Sequence, residues 1–278
     1  MSTPASTIPS SPTAADRARA RFPITVLERL GRLGLAVAED VGQFFTILGQ
    51  TARWTFRRPF DASEWLRQMV RVGVESLPVV ALTTMFTGMV MALQTYTGFE
   101  RFHAENYVAS VVALSLTREL APVLGALMIA GRIGSAFAAE LGTMRVTEQI
   151  DALYAMATEP VHYLIVPRVG ATTLMLPPLI ACGVGLGTFG GFAVAVGLLG
   201  ANPVVYWDKT FQYLEVNDVA SGLIKAAVFG LILAVTGCTK GFYTTGGAEG
   251  VGRATTAAVV MASVVILISD FFLTKILF

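Results

Sequence analysis

Charged residues, histidines and cysteines are scarce in this sequence of 278 residues. Only 14% of the residues are charged, with two histidines and two cysteines, whereas a soluble domain carries about 25% charge. His103 and His162 are isolated, so no cluster has the spacing of a metal site. Cys182 and Cys238 lie in apolar runs, and we expect both to be buried free thiols. The net charge of +1 does not indicate nucleic acid, and we expect none as a partner.

Nucleotide-binding and catalytic motifs are also missing. Gly185, Gly187 and Gly190 spell G-x-G-x-x-G, but that motif binds dinucleotides only between a strand and a helix. Here it lies in an apolar run, where Gly183, Gly187 and Gly191 favour close helix packing. The loop at 246–252 lacks the Gly-Lys-Ser/Thr of a phosphate loop. We therefore expect no enzymatic activity, cofactor or metal on this chain, and ATP with its Mg²⁺ would need a separate ATPase chain.

Long apolar runs dominate what is present, because 54% of the residues are hydrophobic. About 20 apolar residues cross the ~30 Å core of a bilayer, so the sequence predicts an all-α integral membrane protein. The run at 161–199 contains Pro177-Pro178 and could form one kinked span or two. The total is therefore five or six spans. The other spans are predicted at 77–99, 107–130, 220–239 and 254–278.

The first 76 residues differ from the rest of the chain. Residues 1–22 are rich in Ser, Thr, Pro and Ala, a composition that predicts a disordered tail. Residues 23–76 place apolar residues at helical spacing between charges, which predicts amphipathic helices lying in the membrane interface. Residues 77–278 form the predicted transmembrane domain.

The distribution of Lys and Arg predicts the orientation. With five spans, fifteen of these residues lie in 1–76, 131–168 and 240–253, and two lie in the turn 99–106 and the predicted polar loop 201–219. Positive residues accumulate on the cytoplasmic side. We therefore expect a cytoplasmic N-terminus and a C-terminus on the far side, and six spans distribute the charges less well.

Arg118 and Glu119 are an unusual pair because they come about 11 residues into a span, ~16 Å along the helix and close to the membrane centre. Each charge there costs about 2.5–3.5 kcal/mol. Neighbours on a helix point ~100° apart, so the two do not simply neutralise each other. Lys225, in another span, is a candidate partner for Glu119. Two compatible interpretations stay open: an ionic lock between helices, and a polar site for a headgroup or gate.

Residues 145–158 form an amphipathic segment that is too short and too polar to span. It is either an ordinary interfacial connection or a helix that docks onto a cytoplasmic partner. The predicted apolar face contains Val146, Ile150, Leu153, Tyr154 and Ala157.

Three blocks of sequence are similar to the MlaE-like permeases of ABC transporters, which work with MCE-domain proteins in lipid trafficking. They are SLTRELAPVLGALMIAGRIGSAFAAELGTMRVTEQIDAL at 115–153, EPVHYLIVPRV at 159–169 and GGAEGVGRATTAAVV at 246–260. The resemblance covers about residues 40–278 and implies an interfacial helix, five spans and a coupling helix at 145–158. It also implies a homodimer, a cytoplasmic ABC ATPase, and an MCE-domain protein on the periplasmic side of a bacterial inner membrane. The chloroplast inner envelope is the alternative location.

The resemblance further implies roles for individual residues. A lipid cavity would lie between the two copies, with phospholipid as the expected cargo and sterols or fatty acids as alternatives. Residues expected to bind this substrate are Leu93, Gln94, Tyr96, Arg118, Glu119 and Lys225. Residues expected to couple the chain to the ATPase are Glu140, Arg145, Thr147, Glu148, Asp151 and Tyr154.

Two other functions compete with this one. A secondary transporter or ion-coupled channel could use Glu119 and Lys225 as an ion or proton relay, and it would work without an ATPase. A scaffold that anchors an envelope complex would tolerate neutral substitutions at Arg118 and Glu119.

Overall fold

The protein is seen here in a computed structural model that describes residues 14–55 and 62–277. The described residues form helices joined by short turns and contain no β-strand. Five of these helices are long and apolar enough to cross a membrane. The predicted all-α architecture with five spans is therefore confirmed. Residues 161–197 supply one of these spans, so the alternative with six spans is excluded.

Helix α1, Ala14–Thr55, begins in the first of two compact units, residues 1–46 and 47–278. Residues 1–13 of the predicted tail lie outside the described residues, and the tail's remaining residues belong to α1. Leu35, Val37 and Phe45 are exposed apolar side chains of this first unit. Exposed apolar side chains of this kind can insert into a membrane interface. The interfacial placement of α1 stays a prediction.

The second unit contains ten further helices in the described part of the chain. α7 and α9 are short and lie at opposite ends of α8, and we call these two ends of the bundle the α7 end and the α9 end. The helices are α2 (Ala62–Met69), α3 (Leu77–Glu100), α4 (Val108–Ser115), α5 (Ala121–Ile129), α6 (Ser135–Val146), α7 (Gln149–Ala155), α8 (Val166–Gly197), α9 (Pro203–Tyr213), α10 (Val216–Phe242) and α11 (Gly247–Leu277).

Small residues bring the long helices together. A Cβ added at Gly88 of α3 would lie 1.9 Å from the carbonyl oxygen of Gly187 on α8. A Cβ at Gly237 of α10 would lie 2.7 Å from the carbonyl oxygen of Gly134. Only glycine permits such close contact of backbones. The predicted packing role of the glycines on α8 is confirmed, and α8 and α10 form the centre of the unit.

Four π-helical turns interrupt the α-helical pattern in the described residues. A π-helical turn adds one residue to a turn and changes the direction of the side chains around it, and such turns are frequent at functional sites. Arg71, Arg118 and Arg132 each lie in one of these turns. The turns are Val70–Val74, Leu116–Leu120, Ala130–Gly134 and Val161–Ile165.

The prediction of a polar loop at 201–219 is wrong, because α9 occupies most of it. The side chain of Asn202 caps this helix by accepting hydrogen bonds from backbone N–H groups of the first turn, the shorter at 2.9 Å. Tyr206 and Thr210, one turn apart, are buried and hold α9 against the bundle. Asp208 and Lys209 lie on the other faces of the helix, whereas Glu215 and Asp218 belong to the beginning of α10.

Both cysteines are free thiols, as predicted. Cys238 is buried on α10, whereas Cys182 is exposed. The prediction that Cys182 is buried is wrong because α8 is covered on only part of its circumference. An apolar run indicates burial in protein or in lipid and does not distinguish the two.

Candidate functional site

The π-helical turn Leu116–Leu120 directs Arg118 and Glu119 to different partners. Nη2 of Arg118 lies 2.6 Å from Oδ1 of Asp218, and its Nε donates to the same oxygen at 2.8 Å. Oε1 of Glu119 lies 2.8 Å from Nζ of Lys225. The prediction that the neighbours do not neutralise each other is confirmed, and so is the predicted pairing of Glu119 with Lys225.

Lys225 is the centre of this group, and its side chain is 0% exposed. The ammonium donates to the backbone oxygen of Arg118 at 3.0 Å, to Glu119 at 2.8 Å and to Oγ1 of Thr274 at 2.7 Å. Those three bonds use all three of its hydrogens. Oδ1 of Asp270 lies 3.1 Å from Nζ but receives no hydrogen bond. We call Arg118, Glu119, Asp218, Lys225, Asp270 and Thr274 the lysine cluster.

The lysine cluster is accessible at only some of its members. The side chains of Arg118 and Glu119 are 40% and 37% exposed, so both can reach a ligand at the surface of the chain. Lys225 cannot, and in this conformation it can affect a ligand only through Glu119 or Arg118. Binding of substrate by these three residues stays a prediction.

Sequence reasoning missed three members of the lysine cluster, Asp218, Asp270 and Thr274. Asp270 lies within the last predicted span, and the rule that a charge in an apolar run indicates function would have identified it. Asp218 falls within the predicted polar loop, but it is buried in the first turn of α10. Its contact with Arg118 joins residues 100 positions apart, and no local sequence signal indicates such a pair.

The structure separates the three predicted cavity residues on α3. Leu93 and Gln94 line an open groove of about 440 Å³ with Thr97 and Arg101. Tyr96 faces elsewhere: it packs against a buried apolar group and lines a different cavity. The reason is that Tyr96 lies about 200° around the helix from Gln94. One copy of the chain therefore does not bring the three side chains to one surface.

A second charged group lies towards the α7 end, and Glu140 is its centre. Oε1 of Glu140 pairs with Arg71, and Oε2 pairs with Arg168 at 3.2 Å. Arg168 is buried and also donates to the backbone oxygen of Leu164 at 2.6 Å. Glu140 and Arg168 border a groove of about 470 Å³. We call Arg71, Glu140 and Arg168 the glutamate cluster, and it joins α6 to α8 and to the turn that precedes α3.

The segment around α7 is mostly exposed. Nη1 of Arg145 lies 2.6 Å from Oδ1 of Asp151, and Thr147 Oγ1 donates to the backbone oxygen of Thr143 at 2.9 Å. Glu148, between α6 and α7, has a left-handed backbone with φ of 60°, which is uncommon for a residue with a side chain. These contacts fix the angle between the two helices. Glu140, the sixth predicted coupling residue, lies apart in the glutamate cluster.

The predicted apolar face of this segment is only partly correct. Ile150 is buried, but Val146 and Tyr154 are exposed. Burial raises the pKa of the Tyr154 phenol, with a further increase from Glu159. Ile150 therefore anchors α7 to the bundle, while the rest of the predicted face is uncovered. An exposed apolar face on a short helix is a surface on which another protein can dock.

Comparison with known proteins gives consistent similarities. The family model for the permease MlaE matches residues 65–276. The chain is 48% identical over 255 residues to a probable ABC transporter permease protein of Rickettsia felis, covering 92% of this chain and 98% of the relative. It is 36% identical over 253 residues to the intermembrane phospholipid transport system permease protein MlaE of Haemophilus influenzae, covering 87% and 96%. It is 42% identical over 232 residues to the chloroplastic protein TRIGALACTOSYLDIACYLGLYCEROL 1 of Arabidopsis thaliana, covering 84% and 66%.

Proposed function

This chain belongs to the MlaE family of ABC transporter permeases, and from that premise we propose that it is the membrane subunit of an ATP-driven phospholipid transporter. Two copies form the transport path in a bacterial inner membrane, with the N-terminus in the cytoplasm. An ABC ATPase binds the α7 end, and an MCE-domain protein binds on the periplasmic side. The Haemophilus relative is named as an intermembrane phospholipid transport system permease, which supports this class of cargo.

The observation that carries the proposal is the exposed segment around α7. Ile150 and the pair of Arg145 with Asp151 hold this helix to the bundle, and Tyr154 and Met156 present uncovered apolar surface. A partner that buries this surface can also push on the helix. Because Glu148 fixes the angle between α6 and α7, displacement of α7 is transmitted to α6.

The glutamate cluster gives that displacement a route into the bundle. Glu140 lies on α6 and contacts Arg71 and Arg168, so movement of α6 displaces α8 and the turn before α3. Helix α3, which follows this turn, carries the groove that Leu93 and Gln94 line. In the proposed cycle, closure of the ATPases moves the two copies together, narrows the path between them and displaces the lipid.

The half-exposed Arg118 is the residue of the lysine cluster best suited to a phosphate. A guanidinium binds phosphate through paired hydrogen bonds. Arg118 already contacts Asp218, so a phosphate would share the guanidinium with a carboxylate. This arrangement favours weak, exchangeable binding, which suits a transported lipid. The competing ion relay through Glu119 and Lys225 has less support, because all the hydrogens of Lys225 are already donated.

Purification in mild detergent tests the proposal. We expect the chain to be recovered with an ATPase, an MCE-domain protein and bound phospholipid, all identified by mass spectrometry. Asp151→Arg should remove the ATPase, because it places two like charges beside each other at the α7 end. Asp208→Arg, a matched change on an exposed residue of α9, should retain it.

Two outcomes would contradict the proposal. Recovery of the chain alone, with transport in liposomes that lack ATP, would favour the ion relay. Retention of the ATPase by Asp151→Arg at the level of the control variant would place the docking surface elsewhere.

A further inference from the structure

A cavity of about 210 Å³ lies at the α9 end of the bundle, apart from the lysine and glutamate clusters. The end of α3, the beginning of α4, the end of α8 and helix α9 surround it. Its polar lining includes Tyr96, Glu105, Asn106 and Tyr206, and its apolar lining includes Val108 and Ala109. Of the six residues expected to bind substrate, only Tyr96 lines this cavity.

Tyr206 is a fixed part of the wall. It is 3% exposed, and its hydroxyl donates to the backbone oxygen of Thr188 at 3.4 Å. Gly191 makes room for it, because a Cβ there would lie 2.8 Å from that hydroxyl. Burial raises the pKa of Tyr206 to about 12, so the phenol stays neutral near pH 7. The hydroxyl lies against Thr188 and Gly191, neither of which lines the cavity, so Tyr206 directs its oxygen away from the cavity.

Glu105 supplies an uncompensated negative charge. It lies in the short turn Glu105–Tyr107 and is half-buried. Throughout the described ranges, its side chain makes no hydrogen bond or ion pair. The nearby cation Lys209 is engaged elsewhere, with its Nζ 2.8 Å from Oε1 of Gln212 and 5.7 Å from the ring centre of Tyr213. The lining of the cavity therefore combines a carboxylate with two aromatic residues and contains no cation.

We propose that this cavity binds the ammonium group of an aminophospholipid headgroup such as ethanolamine. An ammonium offers three N–H donors and one positive charge, and the carboxylate of Glu105 is an acceptor of opposite charge in the cavity wall. The aromatic rings of the wall add a favourable contact for a cation.

The depth of the cavity agrees with this ligand. Tyr96 lies one turn before the end of α3 at Glu100, and the other walls come from turns and helix ends at the same level. Lipid headgroups lie at the ends of membrane spans. The inference rests on the proposed function only in taking the ligand to be a phospholipid. It adds to that function a preference for one headgroup.

Direct binding to the purified full chain tests this inference without ATP or partner proteins. Phosphatidylethanolamine and phosphatidylglycerol, each with the same fluorophore on an acyl chain, are titrated in detergent and followed by anisotropy. We expect the ethanolamine lipid to bind about tenfold more tightly. Glu105→Gln should abolish this preference, because it removes the charge and preserves the shape. Glu100→Gln, a matched change at an exposed residue outside the cavity, should preserve it.

Further measurements keep the result unambiguous. Val205→Phe fills the cavity and leaves Glu105 in place, so it should also abolish the preference if the cavity is the site. Soluble phosphoethanolamine should compete if the headgroup alone is recognised. Equal affinity of the wild-type chain for both lipids, or an unchanged preference in Glu105→Gln, would overturn the inference. Either result would leave the ATPase pull-down, and so the proposed function, untouched.

Discussion

The lysine and glutamate clusters have opposite compositions. In the lysine cluster one ammonium lies against two carboxylates, those of Glu119 and Asp270. In the glutamate cluster one carboxylate lies between two guanidiniums, those of Arg71 and Arg168. The central charges also differ in exposure: the side chain of Lys225 is 0% exposed, and that of Glu140 is 35% exposed.

This difference predicts different energetic roles. A fully buried charge is stabilised only by its partners, because water cannot solvate it after a partner has been removed. A partly exposed charge can exchange a lost partner for water, so its pairs contribute little to stability. The lysine cluster therefore suits a fixed junction between the turn at 116–120, α10 and α11. The glutamate cluster suits contacts that change when helices move.

The largest expected effect is that of Lys225→Met, which removes the centre of the lysine cluster. Glu119 and Asp270 then face each other without a cation. Water solvates part of Glu119, which is 37% exposed, but less of Asp270, which is 20% exposed, so the loss of folding free energy should be about 3 kcal/mol. We expect the midpoint of thermal unfolding in detergent to fall by roughly 10 °C. Lys275→Met, at an exposed residue of the same charge, is the control and should change the midpoint little. Equal midpoints for the two variants would show that the cluster is not the junction described.

Part of the lysine cluster could be predicted from sequence for a physical reason. A charge within an apolar run is costly unless it is paired, so Glu119 required a cation and Lys225 was the candidate in another span. The structure confirms this pair. The partner of Arg118 was not predictable in the same way, because Asp218 lies at a helix end, where a carboxylate is commonplace.

The direction of side chains could not be predicted. The sequence places Leu93, Gln94 and Tyr96 on one helix, but the neighbours of α3 determine which face is covered, and Tyr96 turns towards α4. The π-helical turns had no sequence signal that we recognised. Such a turn shifts every later side chain by part of a turn, and only the packed structure reveals it.

Thr274→Val tests the donor arrangement of Lys225 and should have a smaller effect. The substitution removes the acceptor at 2.7 Å, but the freed hydrogen can turn to Oδ1 of Asp270, which lies 3.1 Å away and receives no hydrogen bond. The expected loss is therefore only about 1 kcal/mol.

Coupling between the two acceptors makes this second prediction specific. In Thr274→Val, Asp270 becomes the replacement acceptor, so Asp270→Leu, which removes both side-chain oxygens, should cost more in that background than in the wild-type chain. A double-mutant cycle on unfolding midpoints measures this difference. If the stability losses of the two substitutions were additive, the freed hydrogen of Lys225 would not bond to Asp270, and Asp270 would not be a replacement acceptor.

Glu140→Gln should have an equally small effect on stability and the clearest effect on coupling. Gln keeps one side-chain oxygen as an acceptor for the buried Arg168, and water can solvate the partly exposed Arg71, so the expected cost is only about 1 kcal/mol. The contacts that join α6 to α8 are nevertheless weakened, so ATP hydrolysis by the reconstituted complex should continue while lipid transfer falls. Glu75→Gln is the matched control, because Glu75 pairs with Arg132 at 3.0 Å but lies outside the glutamate cluster. If Glu140→Gln lowered the unfolding midpoint as far as Lys225→Met, the contrast between the two clusters would be wrong. If the ratio of lipid transfer to ATP hydrolysis in Glu140→Gln equalled that in Glu75→Gln, Glu140 would not be on the route from α7 to the groove.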